Sequence, residues 1–235
     1  VVIAFGQKMG EAVIGQPTLG RRATMNLHAS LLPKYRGAAP INWAIIRGET
    51  ETGNTVMNLV DRMDAGDILA RQATPIDPLE TAGELHDRLA EMGVSLVLDT
   101  LDDAEAGRLD PQPQDESQMS IAPKLSREDR EVNFATSADY VRRVVHGLTP
   151  WPGVTVSWSP PGGGGPNPLK LCRVRPRDTQ PAEAEAGTMI EDGVIACGEG
   201  AVELLEVQPP GKRVMSWWDF RRGHDVPTGT IFEGT

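Results

Sequence analysis

Hydrophobic positions along this chain fall into two textures. The first half opens on an unbroken apolar run, Val1-Val2-Ile3-Ala4-Phe5, that ends at Gly6 with no turn or cap before it. Such a run predicts a strand buried on both faces of a parallel sheet. It is entered midway, so an earlier N-terminal portion is expected to be missing. Ile41, Ala44 and Ile45 recur at helical spacing within Ala39 to Arg47, Gly48 stops that helix, and Thr55 to Val60 and Ile68 to Ile76 read as strands. Thr81 with Glu84 forms a capping-box pattern. Leu85, Leu89, Met92 and Leu96 then lay an apolar stripe along a helix running to about Ala104. Strands interleaved with helices predict an α/β sheet.

Periodicity is lost from Ala106 to Pro123, where Pro111, Pro113 and Pro123 punctuate a polar stretch that reads as a linker. The expected organisation is therefore a domain over 1–105, a linker over 106–123 and a second domain over 124–235. In the second domain Ser137 caps a short helix through His146 that stops at Gly147. From Trp151 onward the apolar positions alternate in short runs: Val154 to Trp158, Leu169 to Val174, Thr188 to Ile190, Val194 to Ala196 and Val202 to Val207. Gly-rich turns join them, and Ser216 with Asp219 caps a last short helix. About five short strands of this kind predict a small barrel or sandwich. The run Gly162 to Gly165 has no Lys-Ser/Thr after it and opens no helix, so it reads as a hairpin tip rather than a phosphate loop.

The formal net charge of -10 over 235 residues argues against a chain built mainly to coat nucleic acid. The charge is uneven, however. Residues 1–123 carry 10 Lys and Arg against 18 Asp and Glu, whereas residues 124–235 carry 13 against 15, so the second domain is relatively basic. Cys172 and Cys197, the two cysteines, are expected to be reduced. No apolar run approaches the roughly 18 residues that span a bilayer, and no signal peptide is visible. A soluble cytoplasmic protein is expected, with a monomer as the simplest state. No His-x-x-x-His or Cys-x-x-Cys spacing occurs, so no metal is expected.

The most informative stretch is Asn26-Leu27-His28, followed by Ser30-Leu31-Leu32-Pro33 and Tyr35-Arg36-Gly37-Ala38-Ala39-Pro40. On a strand, Asn26 and His28 project from one face and can converge on one substrate atom. A second stretch, Asp61-Arg62-Met63-Asp64-Ala65-Gly66-Asp67, has Thr55 nine residues before Asp64. Together these two motifs, in register, resemble the signature of the folate-dependent formyltransferases. Lys124-Leu125-Ser126, Pro150-Trp151-Pro152-Gly153 and Leu205 to Met215, with Gln208 and Gly211-Lys212, extend the likeness through the second half. They place it nearest the branch of that family acting on initiator methionyl-tRNA. The resemblance implies a Rossmann-like domain, N-terminally incomplete, followed by a small all-β OB-like barrel. It further implies 10-formyltetrahydrofolate as formyl donor and initiator methionyl-tRNA as acceptor.

Formyl transfer to an amine sets three tasks: an oxyanion must be stabilised, the attacking nitrogen must lose a proton, and the leaving nitrogen must gain one. The Asn26 amide can donate to the oxyanion, His28 can donate there or move a proton, and Asp64 can orient His28 and accept the amine proton. The resemblance implies that Ser30, Leu31, Leu32 and Pro33 line the folate through backbone groups, and Thr55 is expected to touch substrate or water. Lys34 and Arg36 read either as a solvated pair or as contacts to folate or RNA phosphate. Lys124, Lys170, Arg173, Lys212 and Arg213 are expected on an RNA-facing track, together with Arg142-Arg143, Arg175, Arg177 and Arg221-Arg222. Trp217 and Trp218 are expected in packing. His146 and His224 are expected near helix ends, where a cation suits the dipole. Two alternatives stay open. One is a formyltransferase for a small amine such as an amino-sugar nucleotide, and the other is a non-catalytic tRNA-binding protein.

Overall fold

Burial dictates where the strands run. The computed structural model describes residues 1–3, 24–179 and 184–234, so residues 4–6 of the opening apolar run lie outside the described residues. The chain divides into two compact units: Val1–Ala44, Glu49–Asp77 and Glu84–Leu125 form the first, and Ile45–Gly48, Pro78–Gly83 and Ser126–Thr235 the second. In chain order the early elements are β1 (Val2–Ile3), β2 (Met25–His28), β3 (Arg36–Gly37), α1 (Pro40–Ile46), β4 (Glu51–Asn58), β5 (Ile68–Pro75), α2 (Ala82–Glu105) and β6 (Ile121–Ala122).

The main sheet of the first unit has the order β1-β2-β4-β5. β1 runs parallel to β2, whereas β4 runs antiparallel to both of its neighbours, β2 and β5. β4 starts at Glu51, earlier than the expected Thr55. Its first residues are polar and include Gly53, yet they pair with β5 as far as Glu51↔Pro75. Every β4 residue after Glu51 is buried, as befits a central strand. α2 is held to the sheet by the Asn54 amide, which donates to the Leu89 carbonyl at 2.7 Å, and its Leu85 and Leu89 are buried.

The stretch 106–123, which lacks any hydrophobic period, is laid onto the first unit by backbone bonds. Ile68 and Gln112 exchange N–H···O=C bonds at 2.8 Å, and β6 pairs in parallel with β3. Polar contacts hold it in place, which is why its sequence reads as a linker.

The second unit contains α3 (Ala138–Gly147), β7 (Val154–Ser159), β8 (Asn167–Arg177), β9 (Met189–Glu191), β10 (Val194–Ala196), β11 (Ala201–Gln208), β12 (Met215–Ser216), α4 (Trp217–Gly223) and β13 (Ile231–Gly234). β7 alternates buried and half-buried along its length, as its sequence predicts. The sheet order is β13-β7-β8-β11-β10-β9, with β12 beside β11. Its two edges meet, because Phe232 N–H donates to the Gly187 carbonyl and Met189 N–H to the Thr230 carbonyl, both at 2.8 Å. The curled sheet thereby closes into a small barrel. The Ser137 and Ser216 hydroxyls accept from the Tyr140 and Asp219 amides, as the caps predicted. Cys172 and Cys197 are buried free thiols. Among the described residues no helix is long and apolar enough to cross a membrane.

His146 departs from the helix-end cation expected of it. It is fully buried, its Nε2 accepts from Val174 N–H at 3.1 Å, and burial together with the nearby Arg142 and Arg173 charges lowers its pKa from 6.5 to about 4. The unfolded chain takes up a proton below about pH 6.5 that the folded chain refuses until about pH 4. Stability from this group is therefore complete above the unfolded value and is lost on acidification. Between pH 7 and pH 4.5 this group should cost roughly 2 to 3 kcal/mol of unfolding free energy, measured by urea titration. His146→Gln, which keeps an acceptor but cannot titrate, should flatten that component; an unchanged slope in the variant would refute the assignment.

Candidate active site

β2 carries the first two candidate groups. Asn26 lies opposite Met57 and His28 opposite Thr55 in the pairing with β4, so the strand alternation sets Asn26 and His28 on the same face. The Asn26 residue is half-buried. His28 is 7% exposed, and its Nε2 lies 2.8 Å from the Tyr35 carbonyl. A carbonyl only accepts, so Nε2 carries the hydrogen in the neutral ring and Nδ1 is left as the working nitrogen. That Nδ1 faces the Asp64 carboxylate, 3.8 Å from Oδ2. The gap is too long for a direct hydrogen bond and short enough for a strong charge interaction once the ring is protonated.

Asp64 sits in a left-handed turn, with φ of 48°. Asp tolerates that region better than most residues because its short side chain bonds locally. Here its Oδ2 accepts from Gly37 N–H at 2.8 Å. Two glycines make this approach feasible. A Cβ on Gly37, whose φ is +124°, would lie 2.4 Å from the Ala122 carbonyl oxygen, and one on Gly66 would lie 1.8 Å from the Asn58 carbonyl oxygen.

The Ser30 to Pro33 loop follows β2. Its backbone polar groups are engaged internally: Ser30 O accepts the Thr55 hydroxyl at 2.6 Å, Leu32 N–H donates to Thr55 Oγ1 at 3.2 Å, and Leu32 O accepts from Arg71 at 3.0 Å. Leu31 O and Pro33 O accept from the Lys34 and Ser120 amides. Ser30 and Leu32 are fully buried and Pro33 is buried, so Leu31 is the most open residue of the four. Thr55 likewise has no exposed surface, and its hydroxyl serves the loop rather than solvent. Leu31, Leu32 and Pro33 nevertheless line, with Lys34, Arg71 and Thr52, a cavity of about 370 Å³.

Arg36 corrects the expectation of a solvated or RNA-facing cation. It is 2% exposed. Its Nε and Nη2 donate to Gln114 Oε1 at 3.0 and 2.7 Å, and its Nη2 also reaches Glu116 at 2.9 Å. The Gln114 amide in turn donates to the carbonyls of Asp64 and Gly66, both at 2.8 Å. Hydrogen bonds from Arg36 and then Arg62 hold the Glu116 carboxyl below its usual range. Lys34 is exposed beside Glu49 at 3.5 Å.

The basic residues of the second unit separate into two groups. Lys170 donates to the Pro150 carbonyl at 2.6 Å, and Arg173 is held by Glu206 at 3.1 Å and the Leu79 carbonyl at 2.5 Å. Both are therefore internal ties before they are phosphate contacts, because register places Glu206 opposite Arg173 on the neighbouring strand. Arg175 and Arg177 share Glu203. Lys212 and Arg213 are exposed, as is Lys124 of the first unit. Trp217 is buried against Phe220 with ring centroids 5.4 Å apart, whereas Trp218 is 69% exposed and does not pack as expected. Among the described residues no three His, Cys, Asp or Glu side chains gather as metal ligands.

Family models match the chain over residues 1–101, as Formyl transferase, and over residues 124–225, as Formyl transferase, C-terminal domain. A protein of Trichlorobacter lovleyi named methionyl-tRNA formyltransferase is 40% identical over 98% of this chain and 71% of its own length. The chain belongs to the formyl transferase family. A second methionyl-tRNA formyltransferase, from Solibacter usitatus, is 41% identical over 95% of this chain and 69% of the relative. Among solved structures, HypX from Aquifex aeolicus in complex with tetrahydrofolic acid gives a TM-score of 0.62 at 23% identity, covering 85% of this chain and 35% of that one. An N-formyltransferase from Helicobacter canadensis, solved with folinic acid and dTDP-3-aminofucose, gives 0.63 at 17% identity, covering 77% and 65%. These two structural likenesses show the shared fold.

Within this formyl transferase the motif residues His28 and Asp64 come together. Gln114 and Gly37, which the sequence reading passed over, hold the Asp64 turn and its carboxylate. The one sequence signal for Gly37 was its place in Tyr-Arg-Gly; Gln114 had none, since a glutamine after a proline in a polar stretch reads as linker.

Proposed function

We propose that this chain transfers the formyl group of 10-formyltetrahydrofolate to the free α-amine of initiator methionyl-tRNA, with residues 1–105 forming the catalytic domain, 106–123 the connection and 124–235 the tRNA-holding domain. The observation that carries this reading is the juxtaposition of His28 Nδ1 and Asp64 Oδ2 at 3.8 Å on a ring whose other nitrogen is already anchored. Relatives named for methionyl-tRNA support the choice of acceptor.

The donor supplies an activated formyl carbon. The amine lone pair attacks it and the carbonyl electrons move onto oxygen, where the Asn26 amide donates a hydrogen bond. Asp64, directly or through a water, takes the proton that the attacking nitrogen sheds. His28 receives that proton on Nδ1, the nitrogen not bound to Tyr35, and with it donates to the oxyanion or protonates the departing folate nitrogen. The carbon–nitrogen bond to folate then breaks and the formamide is released. No covalent enzyme intermediate is required. Lys124, Lys212 and Arg213 are the cations open to RNA phosphate.

The test is formyl transfer by the purified chain with labelled donor, offering initiator methionyl-tRNA and, separately, an amino-sugar nucleotide. Formylated tRNA, with a rate that falls as salt rises because phosphate contacts release counterions, is the expected result. Transfer to the amino sugar alone would overturn the acceptor assignment.

A further inference from the structure

Three consecutive residues each hold a different part of the site. The Tyr35 carbonyl anchors His28 Nε2, the Arg36 guanidinium grips Gln114, and the Gly37 N–H binds the Asp64 carboxylate. β3 itself is fixed from the other side by the 106–123 stretch. Arg36 and Gly37 lie opposite Ile121 and Ala122, and Tyr35 N–H donates to the Ser120 hydroxyl at 2.9 Å. Gln114, from the same stretch, closes the ring back onto the turn that carries Asp64.

We propose that Gln114 is a positioning residue for Asp64, and that the ring from Arg36 through Gln114 to the Asp64 carbonyl sets the distance between the Asp64 carboxylate and His28. This rests on the catalytic roles proposed above. The argument is one of saturation. A glutamine amide has two N–H donors and an oxygen with two lone pairs. Here both donors go to Asp64 O and Gly66 O, the carbonyls on either side of Ala65, and the oxygen takes two Arg36 N–H groups. Every capacity is used, and the amide cannot turn over, because turning would set its oxygen against two carbonyls and its N–H groups against a guanidinium. The clamp therefore defines one conformation of a turn that an aspartate at φ of 48° would not hold by its own preference. Gly37 sees the carboxylate end of the same residue. Asp64 is thus held at its backbone by Gln114, itself gripped by Arg36, and at its side chain by Gly37. Burial of Arg36 at 2% exposure keeps water from its guanidinium.

Two variants separate positioning from stability. Gln114→Leu removes all four bonds, whereas Gln114→Glu keeps the acceptor for Arg36, and with it the fold, but removes both donors to the turn. Both are expected to lower kcat for formyl transfer roughly ten- to a hundredfold, the scale of loss from about 1 Å of misplacement, with KM for donor and tRNA changed by less than about threefold. In a sample labelled with ¹⁵N-glycine, the Gly37 amide resonance should move in both variants, because its partner is the Asp64 carboxylate. Introduced into Asp64→Asn and followed by single turnover with enzyme in excess, Gln114→Leu should add less than about threefold, since it acts through the residue already altered. Full kcat in Gln114→Glu, an unmoved Gly37 resonance, or an undiminished further loss in the Asp64→Asn background would each overturn the proposal. If Asp64→Asn alone leaves kcat unchanged, the catalytic reading itself fails and this inference falls with it. If Asp64→Asn is slow while the Gln114 variants are not, only the inference fails.

Discussion

His28→Ala is expected to lower kcat for formyl transfer by roughly a hundred- to ten-thousandfold, the range over which a positioned acid–base side chain contributes. The reason lies in the asymmetry of the ring. Nε2 is committed to the Tyr35 carbonyl at 2.8 Å, so all of the chemistry this residue can do passes through Nδ1, and Nδ1 faces Asp64. Alanine removes both the donor and the partner that Asp64 acts beside. His28→Gln is the more informative companion: it fills much of the same buried volume on β2 and can still donate, but it carries no titrating nitrogen. If the ring serves mainly as a hydrogen-bond donor, His28→Gln should recover part of the rate, and if it moves a proton it should not. Single-turnover rates at saturating donor distinguish these. A rate within about threefold of the parent for His28→Ala would remove the residue from the mechanism.

The largest expected effect on stability belongs to Arg36→Met. Leaving a buried hydrogen-bonding group without its donors typically costs about 1 to 3 kcal/mol. Here what remains is the Gln114 carbonyl oxygen, which would lose both of its donors, and a Glu116 carboxylate reduced to Arg62. Glu116 is half-exposed and can recover solvent, so the loss falls on Gln114, whose oxygen gives up two charged donors, which places the expectation near the upper end, about 3 kcal/mol. Methionine fills much of the space, so a large part of the loss reports the polar contacts rather than a void. Urea unfolding followed through the Trp43 indole N–H resonance checks it. That indole lies in the first unit with its N–H on the Pro123 carbonyl at 2.8 Å, so it reports on the element that Arg36 supports. A change below about 0.5 kcal/mol, the size of an ordinary surface substitution, would contradict the role drawn for Arg36.

The same arginine illustrates where sequence reading stops. Arg36 sits in a loop signature beside Lys34, and local context offers no distinction between the two. The structure leaves Lys34 in solvent and buries Arg36, because the partners of Arg36 stand 78 and 80 positions away in a stretch with no hydrophobic period. Gln114 reaches Asp64 across 50 positions. Hydrophobic periodicity reports which face of an element is covered. It carries no information about a segment held by its polar atoms, and that is why 106–123 read as a linker. The basic residues of the barrel show the same limit from another direction. Their concentration is visible as charge, but whether Arg173 is open to phosphate depends on the β8–β11 register that sets it against Glu206. Trp217 and Trp218 are neighbours in sequence, and helical geometry alone turns one into the core and the other into solvent.

By itself, the sequence determined the order of elements, the two textures of the chain, the helix caps at Ser137 and Ser216, and the residues Asn26, His28 and Asp64 as the chemistry to examine. Most of these are written in local spacing: period and alternation, a cap with its donor three residues on, two polar side chains separated by one residue on a strand; Asp64 entered through the resemblance of its motif to the folate-dependent formyltransferases. Tertiary structure alone decided which nitrogen of His28 is left to work, what holds Asp64 in a left-handed turn, and which arginines are ties rather than contacts. Those outcomes depend on carbonyls, amides and carboxylates brought together from distant positions, and burial determines whether such polar atoms bond to each other or to water.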